Sequence, residues 1–303
     1  MASIYASSRQ PDEVILVVDD PDDPTLQCTG DFPVRTIINP AGGIGAARKV
    51  GIDASTGDIV IFVDADSVVH PMMIEAYETI FLRHPAVMVQ SGSVIDVRSR
   101  DTSHDNPVRA FAEGKTVDFA ETMKMALRRR VTAPPAEETE SIGNFDESFR
   151  DGGEDLDFCL RLRAKGIKIH CNPRAVVYHI PRENIGERIR KSARNGNTLA
   201  HVFLKHGSNV MNQAVNAVFH TLSITGSILL SLAGLPSPAI AVLLPSLLHR
   251  FYRFTVDVSP PGFSAGNIVR SSLVKNFLAV YVMHFAFTKE LLFMGTAKLL
   301  RVS

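Results

Sequence analysis

The chain has 303 residues, enough for one large domain or two. Its 32 Lys and Arg balance 32 Asp and Glu, so no global field argues for nucleic acid as a partner. The cysteines Cys28, Cys159 and Cys171 are scattered and form no C-x-x-C pair, which argues against a disulfide framework or a zinc site and fits a reducing compartment.

In chain order, residues 1–10 hold no apolar core of signal-peptide length and read as the tail of a short helix. Glu13 to Val18 carries the apolar run Val14-Ile15-Leu16-Val17-Val18 and ends in Asp19-Asp20, which predicts a buried strand with acids at its carboxyl end. Pro21, Asp22, Asp23 and Pro24 force a turn there, and turn chemistry explains those acids as readily as a ligand role. Val34 to Ile38 is a further short strand. Asn39-Pro40-Ala41-Gly42-Gly43-Ile44-Gly45 then opens a helix over about 44–55. Glycine-rich loops at helix starts can hold phosphate on backbone N–H groups. This loop is not G-x-G-x-x-G, and Arg48 beyond it either reaches a diphosphate or faces solvent.

Ile59-Val60-Ile61-Phe62-Val63 runs straight into Asp64-Ala65-Asp66. The apolar run predicts a strand buried on both faces, as in a parallel sheet. In extended chain i and i+2 point the same way, so both carboxylates leave its carboxyl end together. Open α/β sheets bind ligands at that end, and paired hard oxygens there suit Mg²⁺ or Mn²⁺ on a diphosphate. A solvated acidic turn is the competing reading of an isolated Asp-x-Asp. Pro71 opens the next helix, and Val87 to Gln90 is another strand. The region 94–140 is hard to read, although 108–130 looks helical; Arg128-Arg129-Arg130 is either a solvated face or a phosphate contact.

Glu154 to Lys165 reads as a helix closed by Gly166, with Glu154, Asp155 and Asp157 in its first turn, where the helix dipole favours acids. Lys168 to His170 and Ala175 to Tyr178 are strands, and His179 follows. Residues 184–205 form a basic amphipathic helix. From His206 to His249 there is no Lys, Arg, Asp or Glu. That length suits two membrane spans of about 20 residues each. Asn216–Leu235 and Ala239–Phe254 are predicted as a helical hairpin turning at Pro236-Ser237-Pro238, with 276–287 as a third apolar segment that either spans or lies in the interface. Lys205, Arg250, Arg253 and Arg270 flank the hairpin and mark that side as cytoplasmic. A buried helical subdomain is the alternative.

Three blocks taken together resemble the family 2 glycosyltransferases with the nucleotide-diphospho-sugar (GT-A) fold. They are Glu13 to Asp20; Gly45-Ala46-Ala47-Arg48-Lys49 with Ala54 to Asp58 and Asp64-Ala65-Asp66; and Gly143 to Glu147 with Glu154 to Asp157, Arg161 and His179. Met125 to Arg129 also resembles the segment that precedes the Phe-Asp-Glu block in that family. The resemblance covers about 1–205 and implies an α/β GT-A domain, a Rossmann-like mixed sheet flanked by helices, with 206–303 as a C-terminal region of hydrophobic, membrane-associated helices.

The resemblance also implies roles. Asp155 matches the catalytic base, with Glu154 beside it. Asp20 matches the acid that contacts the nucleoside, and Arg48 lies near the nucleotide. Asp64 and Asp66 match the D-x-D acids, Asp64 near the nucleoside and Asp66 on the metal, Mg²⁺ or Mn²⁺. Arg161 and His179 lie near the diphosphate or metal. The implied enzyme is a membrane-anchored inverting glycosyltransferase. It takes a nucleotide-diphospho-sugar donor and a polyprenyl-linked or polysaccharide acceptor, with the membrane lipid as neighbour, no nucleic acid, and the catalytic domain on the cytoplasmic side. The family normally carries a further strand ahead of Glu13, in the middle of the sheet. Its absence here predicts exposed sheet edges, a truncated start, and as an alternative a non-catalytic membrane protein that keeps the fold as a binding module. Asp20-Pro21-Asp22-Asp23 also departs from the family's Gly-Ser after the paired acids. A nucleotidyltransferase is a third reading, disfavoured by the separate Glu154-Asp155 block.

Overall fold

The computed structural model describes residues 1–30, 32–96, 115–132, 142–179, 185–207, 211–235 and 285–290. Two compact units divide the chain, Met1–Pro181 and Arg182–Ser303. The first contains α1 (Ala2–Tyr5), β1 (Ile15–Val18), β2 (Arg35–Ile38), α2 (Ile44–Ala54), β3 (Ile59–Ile61), β4 (Ser67–Val69), α3 (Met73–Arg83), β5 (Val89–Asp96), β6 (Thr116–Val117), β7 (Met125–Arg128), α4 (Glu154–Ala164) and β8 (Ile169–His179). The second contains α5 (Ile185–His206) and α6 (Met211–Leu232).

The strands form two sheets. β1 and β2 pair in parallel as a two-stranded ribbon, while the larger sheet runs β3-β7-β5-β8-β4, with β6 also on β8. It is mixed: β5 and β8 are parallel, and β3, β7 and β4 join antiparallel neighbours. Among the described strands β1 pairs only with β2 and β3 only with β7, so each acid-bearing strand keeps one ladder edge without a strand partner.

Here the structure corrects the expectation for Ile59 to Val63. The strand is shorter, half-buried, and antiparallel to β7. The segment buried on both faces is β7 itself, which the sequence reads as helix. Met, Ala and Leu are strong helix formers, but Met125, Ala126 and Leu127 are fully buried between β3 and β5. Burial there overrides propensity. With a period of two, Met125 and Leu127 enter one core with Phe145, Phe158 and Leu162, while Ala126 enters the other with Met73, Tyr77 and Phe81. Helices thus cover both faces of the sheet. Each fully buried Phe contributes about 1.5–3 kcal/mol by leaving water.

One long strand, β8, replaces the two predicted over 168–178. A register shift between Ser91 and Ser93 of β5 absorbs the residues between its halves. The kink is lined by buried polar groups. Tyr77 Oη donates to the Lys124 carbonyl at 2.6 Å, Gln90 Nε2 to the Tyr77 carbonyl at 3.0 Å, and Asn172 Nδ2 to Gln90 Oε1 at 2.9 Å.

In the second unit α5 matches the basic helix predicted over 184–205, and α6 covers most of the first predicted hairpin arm. Among the described residues no helix is long and apolar enough to cross a membrane. The second arm, 239–254, and most of 276–287 lie outside the described residues.

Candidate active site

The site is built where β3 ends. The Ser67 N–H donates to the Asp64 carbonyl at 3.0 Å, closing a turn that carries Asp64 and Asp66. β4 then pairs with β8 so that Ser67 stands opposite His179. This register brings His179 beside the two acids, and its charge acts on Asp64.

Arg48 joins this turn to α4. Its guanidinium donates to Asp64 Oδ1 at 3.1 Å and to Glu154 Oε1 at 2.6 Å, with only 10% of its side chain exposed. Glu154 is 2% exposed, and its second oxygen, Oε2, is buried without a hydrogen-bond partner. Burial pushes the Glu154 carboxyl up to about 7, with Arg48 pulling the other way and the charge of Asp155 adding to the rise. Burial also raises Asp64, opposed by Arg48 and reinforced by Asp66. Asp155 is raised by burial as well, while the Leu156 N–H on its Oδ1 at 2.7 Å counters this. The structure therefore separates the two neighbours. Glu154 is bound to a cation inside the protein, whereas the described polar contact of Asp155 is a backbone N–H.

Three rings hold α4 against β3. Phe145 stacks on Phe158 with centroids 4.4 Å apart, and Phe62 meets Phe145 edge-on at 5.4 Å. Asn144 Nδ2 donates to Asp53 Oδ1 at 2.7 Å, and Lys49 pairs with Glu147 at 2.9 Å. The Asn-Phe-Asp-Glu block is thus a bracket. It ties α2 to the start of α4, and so ties Arg48 to Glu154.

The N–H groups of the glycine loop are taken by protein acceptors. The Gly43 N–H donates to Asp19 Oδ2 at 2.8 Å, Ile44 N–H to the Arg150 carbonyl at 3.0 Å, and Gly45 N–H to the Phe149 carbonyl at 3.0 Å. The donors are spent on the protein. A Cβ on Gly45 would fall 2.3 Å from the Asp146 carbonyl oxygen, so close backbone approach is what that glycine serves.

The remaining candidates are placed as follows. Asp20 is exposed and accepts the Asp22 N–H at 2.9 Å within its own turn, while its neighbour Asp19 secures the loop through Asn39 and Gly43. Arg161 ion-pairs with the fully buried Asp157 at 2.9 Å and donates to the Ile142 carbonyl at 2.7 Å, which fastens the bracket to α4. The Arg128 cluster sits at the other end of β3, since Arg128 pairs with Ile59. Arg128 donates to the Phe81 and Val87 carbonyls, and Arg129 to that of Gly57. These arginines tie the end of β7 to α3 and to the turns ahead of β5 and β3.

Sequence reading misses Glu121. Its charge raises both Asp64 and Asp155, and it pairs with Lys124 at 3.1 Å. Nothing local announces it. Only the β3–β7 pairing, continued by the Phe62 N–H on the Met125 carbonyl at 3.0 Å, brings residues just before β7 beside those just after β3. Among the described residues no three His, Cys, Asp or Glu side chains converge as a ready metal cage. Asp66 and Asp64 are still hard oxygen donors of the kind Mg²⁺ and Mn²⁺ take. Such ions commonly bind through one or two carboxylates and complete their shell with substrate phosphates and water.

The first unit is thus a mixed α/β sheet flanked by helices, with acids gathered at a strand's carboxyl end. Residues 1–198 match the model of the glycosyltransferase like family 2, and the chain belongs to that family. It is similar to the Pre-mycofactocin glycosyltransferase of Mycobacterium tuberculosis, from both the CDC 1551 / Oshkosh and H37Rv strains. Identity is 26% over 220 residues, 70% of this chain and 46% of that protein. The chain therefore spans about half the length of the curated relatives it matches. Among solved structures, S. aureus TarS 1-349 in complex with UDP-GlcNAc superposes with a TM-score of 0.49 at 16% identity, covering 96% of this chain and 83% of that one. GalNAc-T7 with UDP, GalNAc and Mn²⁺ superposes with a TM-score of 0.42 at 17% identity, covering 56% and 38%.

Proposed function

We propose that this chain is a metal-assisted inverting glycosyltransferase. It moves a sugar from a nucleotide-diphospho-sugar to a hydroxyl of a lipid-linked or polymeric glycan, at the cytoplasmic face of a membrane. The observation that carries this is the Arg48 guanidinium set between Asp64 and Glu154, with Asp155 beside it and free of an ion-pair partner in the described contacts.

In this reading the acceptor oxygen attacks the anomeric carbon as the bond from that carbon to the diphosphate oxygen breaks. Asp155 takes the acceptor's proton, and its raised affinity for a proton suits a general base. Arg48 offers the departing diphosphate a fixed cation in a site largely shielded from water, where such charge counts most. Asp66 and Asp64, with His179 alongside, would hold Mg²⁺ or Mn²⁺. That ion, when bound, supplies further neutralisation of the leaving diphosphate. Asp20 borders the nucleoside on the turn after β1. Arg161 enters as a support of α4.

The membrane part of the proposal rests on the uncharged stretch from His206 to His249 and on the lipid-linked acceptor it suits. A second reading, a binding module without turnover, is favoured by the ladder edges of β1 and β3 that have no strand partner among the described residues. Calorimetry with a panel of nucleotide sugars, with and without Mn²⁺, tests the first reading. Metal-dependent binding that Asp66→Ala removes is expected. Indifference to every donor would refute it, and binding without sugar release to any acceptor would favour the second.

A further inference from the structure

The second unit carries an inverted helix. Over 221–232 of α6 the buried positions are Thr221, Ser223, Ile224 and Ser227, three of the four bearing hydroxyls, whereas Leu222, Ile228, Leu229 and Leu232 are exposed together with Ser231, Leu232 at 80%. Ser223 and Ser227 lie four apart on one face. Leu222, Leu229 and Leu232, spaced by seven and three, share another. The buried hydroxyls have partners; Thr288 Oγ1, for example, donates to Thr221 Oγ1 at 3.3 Å. A helix in water normally does the reverse, turning leucines inward and hydroxyls outward. Helices against lipid place small hydroxyl residues between helices and apolar residues outside.

The neighbouring helix supplies the second observation. α5 touches α6 within this unit, and Ala200 of α5 packs with Phe287 in a small core. Its other side is basic. Arg190, Lys191, Arg194 and Lys205 are exposed, and Glu187 is the one acid in the helix. Arg190, Arg194 and Lys205, at i, i+4 and i+15, form one stripe. A cationic stripe on one helix and an apolar face on the helix it touches are the two components an anionic leaflet calls for, phosphates outside and acyl chains within.

We propose that α5 and α6 together form a docking surface for an anionic lipid leaflet, with the α5 cations on the headgroup phosphates and the α6 leucines among the acyl chains. This rests on the membrane reading above and goes beyond it by naming the surface and the lipid charge.

The test is flotation of the full chain with vesicles of phosphatidylcholine alone and of phosphatidylcholine mixed with phosphatidylglycerol, at low and high salt. Each surface cation contributes about fivefold to partitioning onto an anionic membrane. The triple variant Arg190→Gln, Lys191→Gln, Arg194→Gln is therefore expected to lose on the order of a hundredfold in binding to mixed vesicles. Leu229→Gln with Leu232→Gln is expected to weaken binding to both vesicle types. Equal binding to both vesicle types by the unaltered chain, insensitive to salt, overturns the proposal. So does a chain that stays off both vesicles and pairs with a second copy through α6. The salt comparison needs no variant, so a variant that fails to fold leaves the test intact. Nucleotide-sugar binding, read in the same preparation, reports separately on the transferase reading.

Discussion

Arg48 and Glu154 meet at 2.6 Å across 106 positions of the chain, and both side chains are almost wholly shielded from water. A buried pair of this kind is weak evidence of net stabilisation, yet removing one partner strands the other. Arg48→Met is expected to cost up to roughly 3 kcal/mol at pH 8, where Glu154 must either carry its charge alone or take a proton against the solvent, and clearly less at pH 5, where it is already protonated. Urea titration followed by circular dichroism checks this. Adding Glu154→Gln to Arg48→Met should return much of the loss, and a strictly additive double variant would mean the pair is not coupled.

Stability should also depend on pH through Glu154. Its carboxyl is raised in the folded chain from an ordinary 4.5 to about 7. Between those values the folded state binds more protons than the unfolded one. Stability from this group is therefore full below about pH 4.5 and is lost as pH rises through about 7, a span worth about 3 kcal/mol. Asp64 and Asp155, also raised, act in the same direction. Urea midpoints of the native chain should fall across that window, and those of Glu154→Gln should fall distinctly less. Identical slopes would exclude Glu154 as the source.

Asp155→Asn and Glu154→Gln should part company in kinetics. Loss of a general base costs about 10²–10⁴-fold in kcat, so Asp155→Asn is expected to lower kcat with donor affinity unchanged. Glu154→Gln keeps the hydrogen bond to Arg48 and should show a much smaller fall. Steady-state rates with the donor identified by calorimetry decide between them, and the reverse ranking would move the base to Glu154.

Gly45→Ala tests the bracket. The new Cβ would lie 2.3 Å from the Asp146 carbonyl oxygen and 2.9 Å from that of Phe149, so the 146–150 turn must move off α2. Overpacking of this sort costs about 1–3 kcal/mol. Because Arg48 lies one turn further along α2, donor affinity should drop together with Tm. A thermal melt and a calorimetric titration on one preparation would show both, and a loss of Tm alone would separate the bracket from the site.

Much of the site was legible because its signals are local. A β-branched run ending in Asp64 and Asp66 marks a strand terminus, and acids beginning at Glu154 mark a helix start. What was not legible depends on register. Met125 to Leu127 carries helix-forming residues that only two neighbouring strands turn into sheet. Glu121 enters the site through that same pairing. The glycine loop misleads for a related reason. Its flexibility is visible in the sequence, but the claim of Asp19 and the 149–150 carbonyls on its N–H groups is not.

The β1–β2 ribbon has a consequence for how the molecule breathes. Among the described residues no ladder joins it to the larger sheet. It is moored instead by Glu13, whose Oε1 accepts the Thr56 and Gly57 N–H groups at 2.6 and 3.0 Å, by Asp19 on Gly43, and by Arg35 on the Ala54 carbonyl. Two strands alone are marginal in water. Segments held by few buried contacts open well below the global unfolding energy. The amides of Val17 and Ile37 should therefore exchange with deuterium long before those of Val89 and Leu127, and a protease should cut this ribbon before it cuts the larger sheet. The acids Asp19 and Asp20, at the end of β1, thus sit on an element that can open and reclose while the platform bearing Asp64 stays shut.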